Sequence, residues 1–303
     1  MMRICGPLPI RILSHNIRYA TDAPFKGEEA WEIRGPHLVN ELCFSTAHCA
    51  ESIICLQEVL HRQLVDILAG LNSKKNAWDF VGVGRDDGIQ AGEYSPILYK
   101  PSVWELKSHG TKWLSQTPDR PSRSWDAACR RILTIAVFQH YSTRKTLVAM
   151  NTHLDDQGQR SRLEATRIIR EQIRITAEQS PQQRSLPVFL AGDFNSEPNQ
   201  EAYKEISSEA SPMGDLQLMV PEVERYGDLN TFTGFDIAST RPKRIDFIFI
   251  NKSDPTSNER SKLAGDTVEK WWLVDGYAVL PNRFENMVFV SDHRIVIGDL
   301  SVI

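Results

Sequence analysis

No stretch of this sequence approaches the roughly 18 uninterrupted apolar residues that a membrane-spanning helix needs. Met1 to Ile12 carries Arg3, Pro7 and Pro9 and no apolar run of signal-peptide length, so a soluble, unsecreted chain without membrane insertion is expected. Cysteine is sparse. Cys5, Cys43, Cys49, Cys55 and Cys129 are odd in number and form no CxxC pair, which argues against a disulfide framework and for a reduced, cytoplasmic protein. Cys43, His48 and Cys49 lie close together but have no second Cys/His pair at zinc-site spacing, so core cysteine is the expected role. Charge of one sign is also missing. With 35 Lys and Arg against 39 Asp and Glu, the net charge is −4, and any nucleic acid would have to be held by a local basic patch. Repeats, low-complexity tracts and shifts of composition are absent, and one domain over residues 1–303 is the economical expectation.

What is present is an apolar fraction of 41% beside 24% charged residues, enough for a large α/β core. Short apolar runs predict strands at 10–13, 53–56, 80–83, 96–99, 131–138, 146–152, 188–191, 245–250 and 295–300. Several are β-branched and apolar throughout, as in strands buried on both faces. Pro36 suits the first position of a helix over 36–43, and Leu60, Leu64, Leu68 and Leu71 mark one stripe of another. A third helix is predicted from Ser161, which with Glu164 fits a capping box ahead of Leu163, Ile169, Ile173 and Ala177. Glu178 to Ser185, with Pro181, reads as a loop, and Asn251 to Ser261, with Pro255, as a mobile excursion between core strands. Many strands and few helices argue for stacked sheets with helices outside.

Two short segments carry the chemistry. An apolar strand ends in Gly192-Asp193-Phe194-Asn195, which sets a carboxylate and a carboxamide two positions apart at its open end. Ser291-Asp292-His293 adds an adjacent acid and imidazole. Carboxylates supply hard oxygen ligands for Mg²⁺ or Mn²⁺, and a histidine oriented by an acid can take a proton from water. Together they point to metal-assisted hydrolysis of a phosphate ester.

Six blocks, each at or just past a predicted strand, resemble in order the motifs of the endonuclease/exonuclease/phosphatase superfamily, whose fold is DNase I-like. They are Ser14-His15-Asn16-Ile17-Arg18, Leu56-Gln57-Glu58-Val59, Asn151-Thr152-His153-Leu154-Asp155, Gly192-Asp193-Phe194-Asn195, Ile245-Asp246-Phe247-Ile248 and Ser291-Asp292-His293-Arg294. The resemblance implies a four-layer α/β sandwich of two packed mixed sheets flanked by helices. It makes Glu58 the principal metal-ligating carboxylate, with Asn16 fixing the metal shell or a phosphate oxygen and Asp292 as a second acid near the metal. His293 matches the catalytic base and Asp246 the acid on its other ring nitrogen. Asp193 and Asn195 match the pair that orients the attacking water, and His153 the donor to a nonbridging phosphate oxygen.

Each residue also has a plainer reading. Glu58 could cap the next helix, Asp292 could tie down a loop, Asp246 could pair with Arg244 or Lys243, and His153 or His293 could be a satisfied core histidine. Between the motifs, Arg85, Glu93, Tyr94 and Trp125 fall in loops suited to gripping substrate; Trp125 as a packing anchor and Asp86-Asp87-Gly88 as a simple turn are the alternatives. The pattern is most similar to an uncharacterised microbial branch of the superfamily. No arginine-rich strand or long basic stretch is present to track a duplex. The expected activity is Mg²⁺-dependent hydrolysis of a small phosphorylated or phosphodiester metabolite, such as a sugar phosphate, inositol phosphate, nucleotide or lipid headgroup. A metal-dependent nuclease and a catalytically silent binding protein are the alternatives, and no protein partner is inferred.

Overall fold

A computed structural model describes residues 6–75, 77–178, 186–252, 268–269 and 271–303. In chain order the elements are β1 (Leu8–Asn16), α1 (Trp31–Thr46), β2 (Ile53–Gln57), α2 (His61–Leu71), β3 (Asp79–Val81), β4 (Ile97–Tyr99), β5 (Trp104–Trp113), β6 (Ile132–His140) and β7 (Thr146–His153). There follow α3 (Gln159–Glu178), β8 (Val188–Asp193), α4 (Glu201–Ser207), β9 (Met213–Asp215), α5 (Leu216–Met219), β10 (Arg225–Gly227), β11 (Asp246–Asn251), β12 (Val268–Glu269), β13 (Trp272–Val279) and β14 (Val296–Val302). One sheet runs β10-β13-β14-β1-β2-β4-β3, with β12 on β13; the other runs β5-β6-β7-β8-β11-β9. Both are mixed: β1 lies parallel to β2, and β7 parallel to β8, among antiparallel neighbours.

Period-two alternation divides these strands between three apolar layers. Ile10 and Ile12 of β1, Ile53 and Cys55 of β2, Phe189 and Ala191 of β8, and Ile248 and Ile250 of β11 face inward, where the two sheets meet. Leu13, Ile54 and Leu56 point the other way, onto Leu38 and Leu42 of α1 and Leu64 and Ile67 of α2. On the far side Val188, Leu190, Phe247 and Phe249 pack against Ile169 and Ile173 of α3 and Tyr203 of α4. The result is a four-layer α/β sandwich. Burial on both faces is why the central strands are apolar throughout.

Helix boundaries differ from the sequence reading. α1 begins at Trp31, so Pro36 lies inside it and not at its first position. α3 begins at Gln159, two residues before the expected capping box. There the Asp126 carboxylate accepts from the Arg160 and Ser161 amides at 3.1 and 2.7 Å, Ser161 Oγ donates to Gly158 O, and Glu164 pairs with Arg167. A cap supplied from a distant loop leaves no local signature. β5 and β13 were not anticipated. β5 is an edge strand whose middle is polar and exposed, and β13 carries an irregularity between Val274 and Gly276. Asn251 closes β11 and is buried, accepting from Val188 N and Trp272 Nε1; residues 253–261 of the expected excursion, like 179–185 of the other loop, lie outside the described residues. Among the described residues no helix is long and apolar enough to cross a membrane.

A buried carboxamide pins the two sheets together. Asn151 of β7 donates to Leu56 O at 2.7 Å and Pro96 O at 2.8 Å and accepts from Gln57 Nε2 at 2.8 Å, all on the opposite sheet. Within the second sheet, Gly192 of β8, at φ 155°, allows a close approach to β7, where a Cβ would stand 2.2 Å from Thr152 O. Asn151→Ala strands buried carbonyls and should cost about 3 kcal/mol or more in urea unfolding. A loss under about 1 kcal/mol would mean that the sheets do not depend on this pin.

Candidate functional site

The predicted motifs converge because their strands end at the same edge of the sandwich. β1 ends at Asn16 beside Gln57 of β2, and Glu58 follows at once. β7 ends at His153 opposite Asp193, the last residue of β8, and Asp193 also faces Asp246, the first of β11. Ser291-Asp292-His293 precedes β14, and Ser291 Oγ donates to Asn16 O at 2.6 Å, joining the two ends of the chain. Thr231 Oγ1 accepts from the Ile245 and Asp246 amides at 3.0 Å each and fixes the start of β11. Glu58 and Asn195 both adopt left-handed backbone, at φ 60° and 45°, which non-glycine residues enter only where surrounding contacts hold them.

Asn16 is the hub. Its Nδ2 donates to Glu58 Oε1 at 2.9 Å and to Asp193 Oδ2 at 3.0 Å, while its Oδ1 accepts from Arg18 N at 3.0 Å. The amide oxygen is therefore turned to the Arg18 amide, and Asn16 meets both acids as a donor. Glu58 Oε2 accepts from Tyr19 N at 3.1 Å. Asn195 lies past the end of β8, where its N donates to Asp193 Oδ1 at 2.8 Å.

His293 Nδ1 and Asp246 Oδ2 are 2.9 Å apart, and His293 Nε2 stands 3.7 Å from Asp193 Oδ2. Arg244 instead forms an ion pair with Asp215 at 2.8 Å, which leaves Asp246 to the imidazole. Burial alone would depress the His293 pKa, but the Asp246 and Asp193 carboxylates outweigh it and hold it well above the usual value. Asp193 is pushed up to about 7, first by burial and then by Asp246. His153 is held well below the usual range by burial and then by Arg131 and Arg85, and is neutral. Asn195 Nδ2 donates to Leu154 O at 3.1 Å and lies 3.0 Å from His153 Nε2, which also stands 3.5 Å from Asp193 Oδ2.

The expected substrate contacts divide. Glu93 accepts from Arg85 Nη1 at 2.7 Å and lies 3.8 Å from both Arg131 Nη1 and His153 Nδ1, so Arg85 and Glu93 reach the site as an ion pair. Tyr94 is buried, its hydroxyl on Ile89 O at 2.9 Å and beside His61, and acts as a packing residue. Trp125 is half-buried in left-handed backbone, φ 56°, next to the capping Asp126. Asp87 accepts three successive amides at 2.7 to 2.9 Å, the simple turn of the plainer reading. The sequence reading passed over Arg18, whose Nη1 is 3.8 Å from Glu58 Oε2, although it sits in the first motif. It also gave no role to Arg131, which pairs with Glu93, Asp155 and Asp156.

The donor set suits a hard divalent cation. Asp292 is buried and its pKa is raised, by burial and, against the pull of His293, by Glu58; two acids under mutual strain are what a cation relieves. Asp193, Asp246 and His293 also place ligand atoms within 4.8 Å of one another, a group compact enough to hold a metal ion.

The sequence pattern described as the Endonuclease/Exonuclease/phosphatase family matches residues 35–293. An endonuclease/exonuclease/phosphatase from Bacteroides vulgatus is 30% identical over 97% of this chain and 99% of that one, with a TM-score of 0.79. A family protein from Bacteroides thetaiotaomicron is 27% identical over 98% and 99%, at 0.80. A mannosyl-6-phosphatase from Bacteroides thetaiotaomicron is 27% identical over 96% and 99%, at 0.77. No curated protein sequence matches significantly.

Behind the site, His15 Nε2 lies 3.3 Å from the carbonyl of His293, and its Nδ1 lies 3.4 Å from Glu41 Oε2 on α1. Burial pushes Glu41 up to about 8 from 4.5. The folded state then holds a proton that the unfolded chain has lost, so this group's contribution to stability falls as pH rises from 4.5 to about 8. Glu41→Gln should be close to the wild type in urea at pH 5 and exceed it at pH 8.5 by about 4 kcal/mol. Equal stabilities at both pH values would show that Glu41 ionises normally.

Proposed function

The chain belongs to the Endonuclease/Exonuclease/phosphatase family of phosphoric ester hydrolases, and we propose that it hydrolyses a small phosphorylated or phosphodiester metabolite by in-line attack of water on phosphorus. The observation that carries this reading is the meeting of Glu58, Asp193, Asp246 and His293 at one strand edge, with Asn16 bonded to two of the three acids and Asp246 to the imidazole. A small substrate is supported by the near-balanced charge of the chain and by the likeness to a mannosyl-6-phosphatase; a sugar phosphate heads the list.

In the proposed mechanism His293 Nε2 accepts a proton from the water as its oxygen bonds to phosphorus and the opposite P–O bond to the leaving group breaks, the departing oxygen taking a proton from solvent, while Asp246 holds the opposite ring nitrogen and stabilises the imidazolium. Asp193 Oδ2, 3.7 Å from that nitrogen, is placed to hold the water's second proton. A phosphate oxygen entering beside Asn195 would compete with His153 Nε2 for the Asn195 N–H, and that donor then meets the charge as it builds. Glu58 and Asp292 would hold Mg²⁺ or Mn²⁺, which would supply charge to neutralise the phosphate and would offset the smaller, Asp292 share of the pull on His293.

Glu58→Ala should abolish metal-dependent hydrolysis in a folded protein. His293→Ala should lower kcat by about 10³-fold or more while leaving metal affinity nearly intact. Wild-type turnover in either variant overturns the corresponding role. The substrate is found with a panel of sugar phosphates, inositol phosphates, nucleotides, glycerophosphodiesters and short RNA or DNA, assayed with Mg²⁺, Mn²⁺ and EDTA. Activity confined to oligonucleotides would replace the metabolite reading with that of a nuclease, and activity undiminished by EDTA would remove the cation.

A further inference from the structure

Arg34 lies on the buried stripe of α1 with Trp31, Leu38 and Leu42, and is 1% exposed. A guanidinium taken out of water is costly unless its donors are satisfied, and where these donors go is informative. Nη1 donates to Ile17 O at 3.0 Å and Val290 O at 2.7 Å, Nε to Glu29 O at 2.9 Å, and Nη2 to Arg18 O at 3.3 Å. Ile17 and Arg18 follow directly on Asn16, and Val290 stands two residues before Asp292. One side chain therefore ties together the two segments, from opposite ends of the chain, that carry Asn16 and Asp292.

The tie continues toward Glu58 through charges of alternating sign. Arg34 Nη2 lies 3.7 Å from Glu28 Oε1, Glu28 Oε1 accepts from Arg18 Nε at 3.2 Å, and Arg18 Nη1 stands 3.8 Å from Glu58 Oε2. Glu28 is thus the nearer partner of Arg18, which can orient Glu58 while leaving most of its negative charge free. A third segment joins from Phe235, whose ring lies 5.8 Å from the Arg34 guanidinium. Gly27, at φ 86°, approaches so closely that a Cβ would stand 2.7 Å from Phe235 O.

We propose that Arg34 is a positioning residue for the cation site: through Val290 on one side and Glu28 and Arg18 on the other, it sets the separation of Asp292 and Glu58. The inference rests on the reading of those two acids as cation ligands. Arg34 touches neither, and its effect passes through the backbone of the two loops. Partners of this kind, one layer out from the ligands, govern metal affinity more than turnover once metal is saturating.

The test is calorimetric titration of the metal-free, full-length protein with Mn²⁺, with the thermal midpoint recorded beside it. Arg34→Lys keeps the charge but loses the planar fork. It should raise the Mn²⁺ dissociation constant by about tenfold or more and leave kcat at saturating Mn²⁺ within about threefold. A purely structural role would lower the thermal midpoint and leave the dissociation constant unmoved, and a folded Arg34→Lys that binds Mn²⁺ within about twofold of the wild type overturns the proposal. Should Arg34→Lys fail to fold, Glu28→Gln decides: a dissociation constant raised by about threefold or more supports the proposal and an unchanged one overturns it. A wild type that binds no Mn²⁺ removes the cation-site reading itself, and this inference with it.

Discussion

One side-chain amide, with a proton for each of two acids from different sheets, is the constraint on which the site depends. Glu58 follows β2 and Asp193 ends β8, and nothing in the backbone ladder joins those strands. Their carboxylates repel, and burial raises the cost. The two N–H bonds of Asn16 Nδ2 turn that repulsion into a fixed spacing, and the Arg18 amide on its oxygen prevents the group from flipping. Asn151 does related work deeper in the sandwich, where it bonds one sheet's backbone to a side chain of the other. Both are neutral, so neither cancels the charge that chemistry at this edge requires.

Much of this was legible in the sequence, for identifiable reasons. Strands buried on both faces leave apolar runs, so the central strands were found close to their true positions, and polar motifs interrupting those runs marked the strand ends. Glu58, Asp193, Asp246 and His293 meet because the sheet order puts those ends on one edge. Signals failed where a partner was distant or a pattern irregular. The α3 cap comes from Asp126, the polar edge strand β5 shows no alternation, and Pro36 sits inside a helix that starts five residues earlier. Asn16 proved a donor to the acids, and Tyr94 a buried packing residue.

The arginines were the larger omission. Arg34 does carry a trace of its position, since it falls on the helical stripe of Trp31, Leu38 and Leu42 where an apolar residue belongs. A charge out of pattern on a buried face is a stronger pointer than a motif match, because only compensating bonds make it tolerable. Arg18 and Arg131 lack even that trace; Arg18 lies in the loop after β1 and Arg131 directly precedes β6, and their partners Glu28, Glu58, Glu93 and Asp155 are set by the fold.

The pairing of β1 with both β2 and β14 has a consequence for synthesis. Until the last strand emerges from the ribosome, β1 presents a bare edge of unpaired amides and carbonyls, and the crevice has neither Asp292 nor its imidazole. A chain that stops short of Asp292 and β14 would therefore lack both groups of the site and leave that edge open to strand addition. One segment thus both brings His293 to the centre and covers that border.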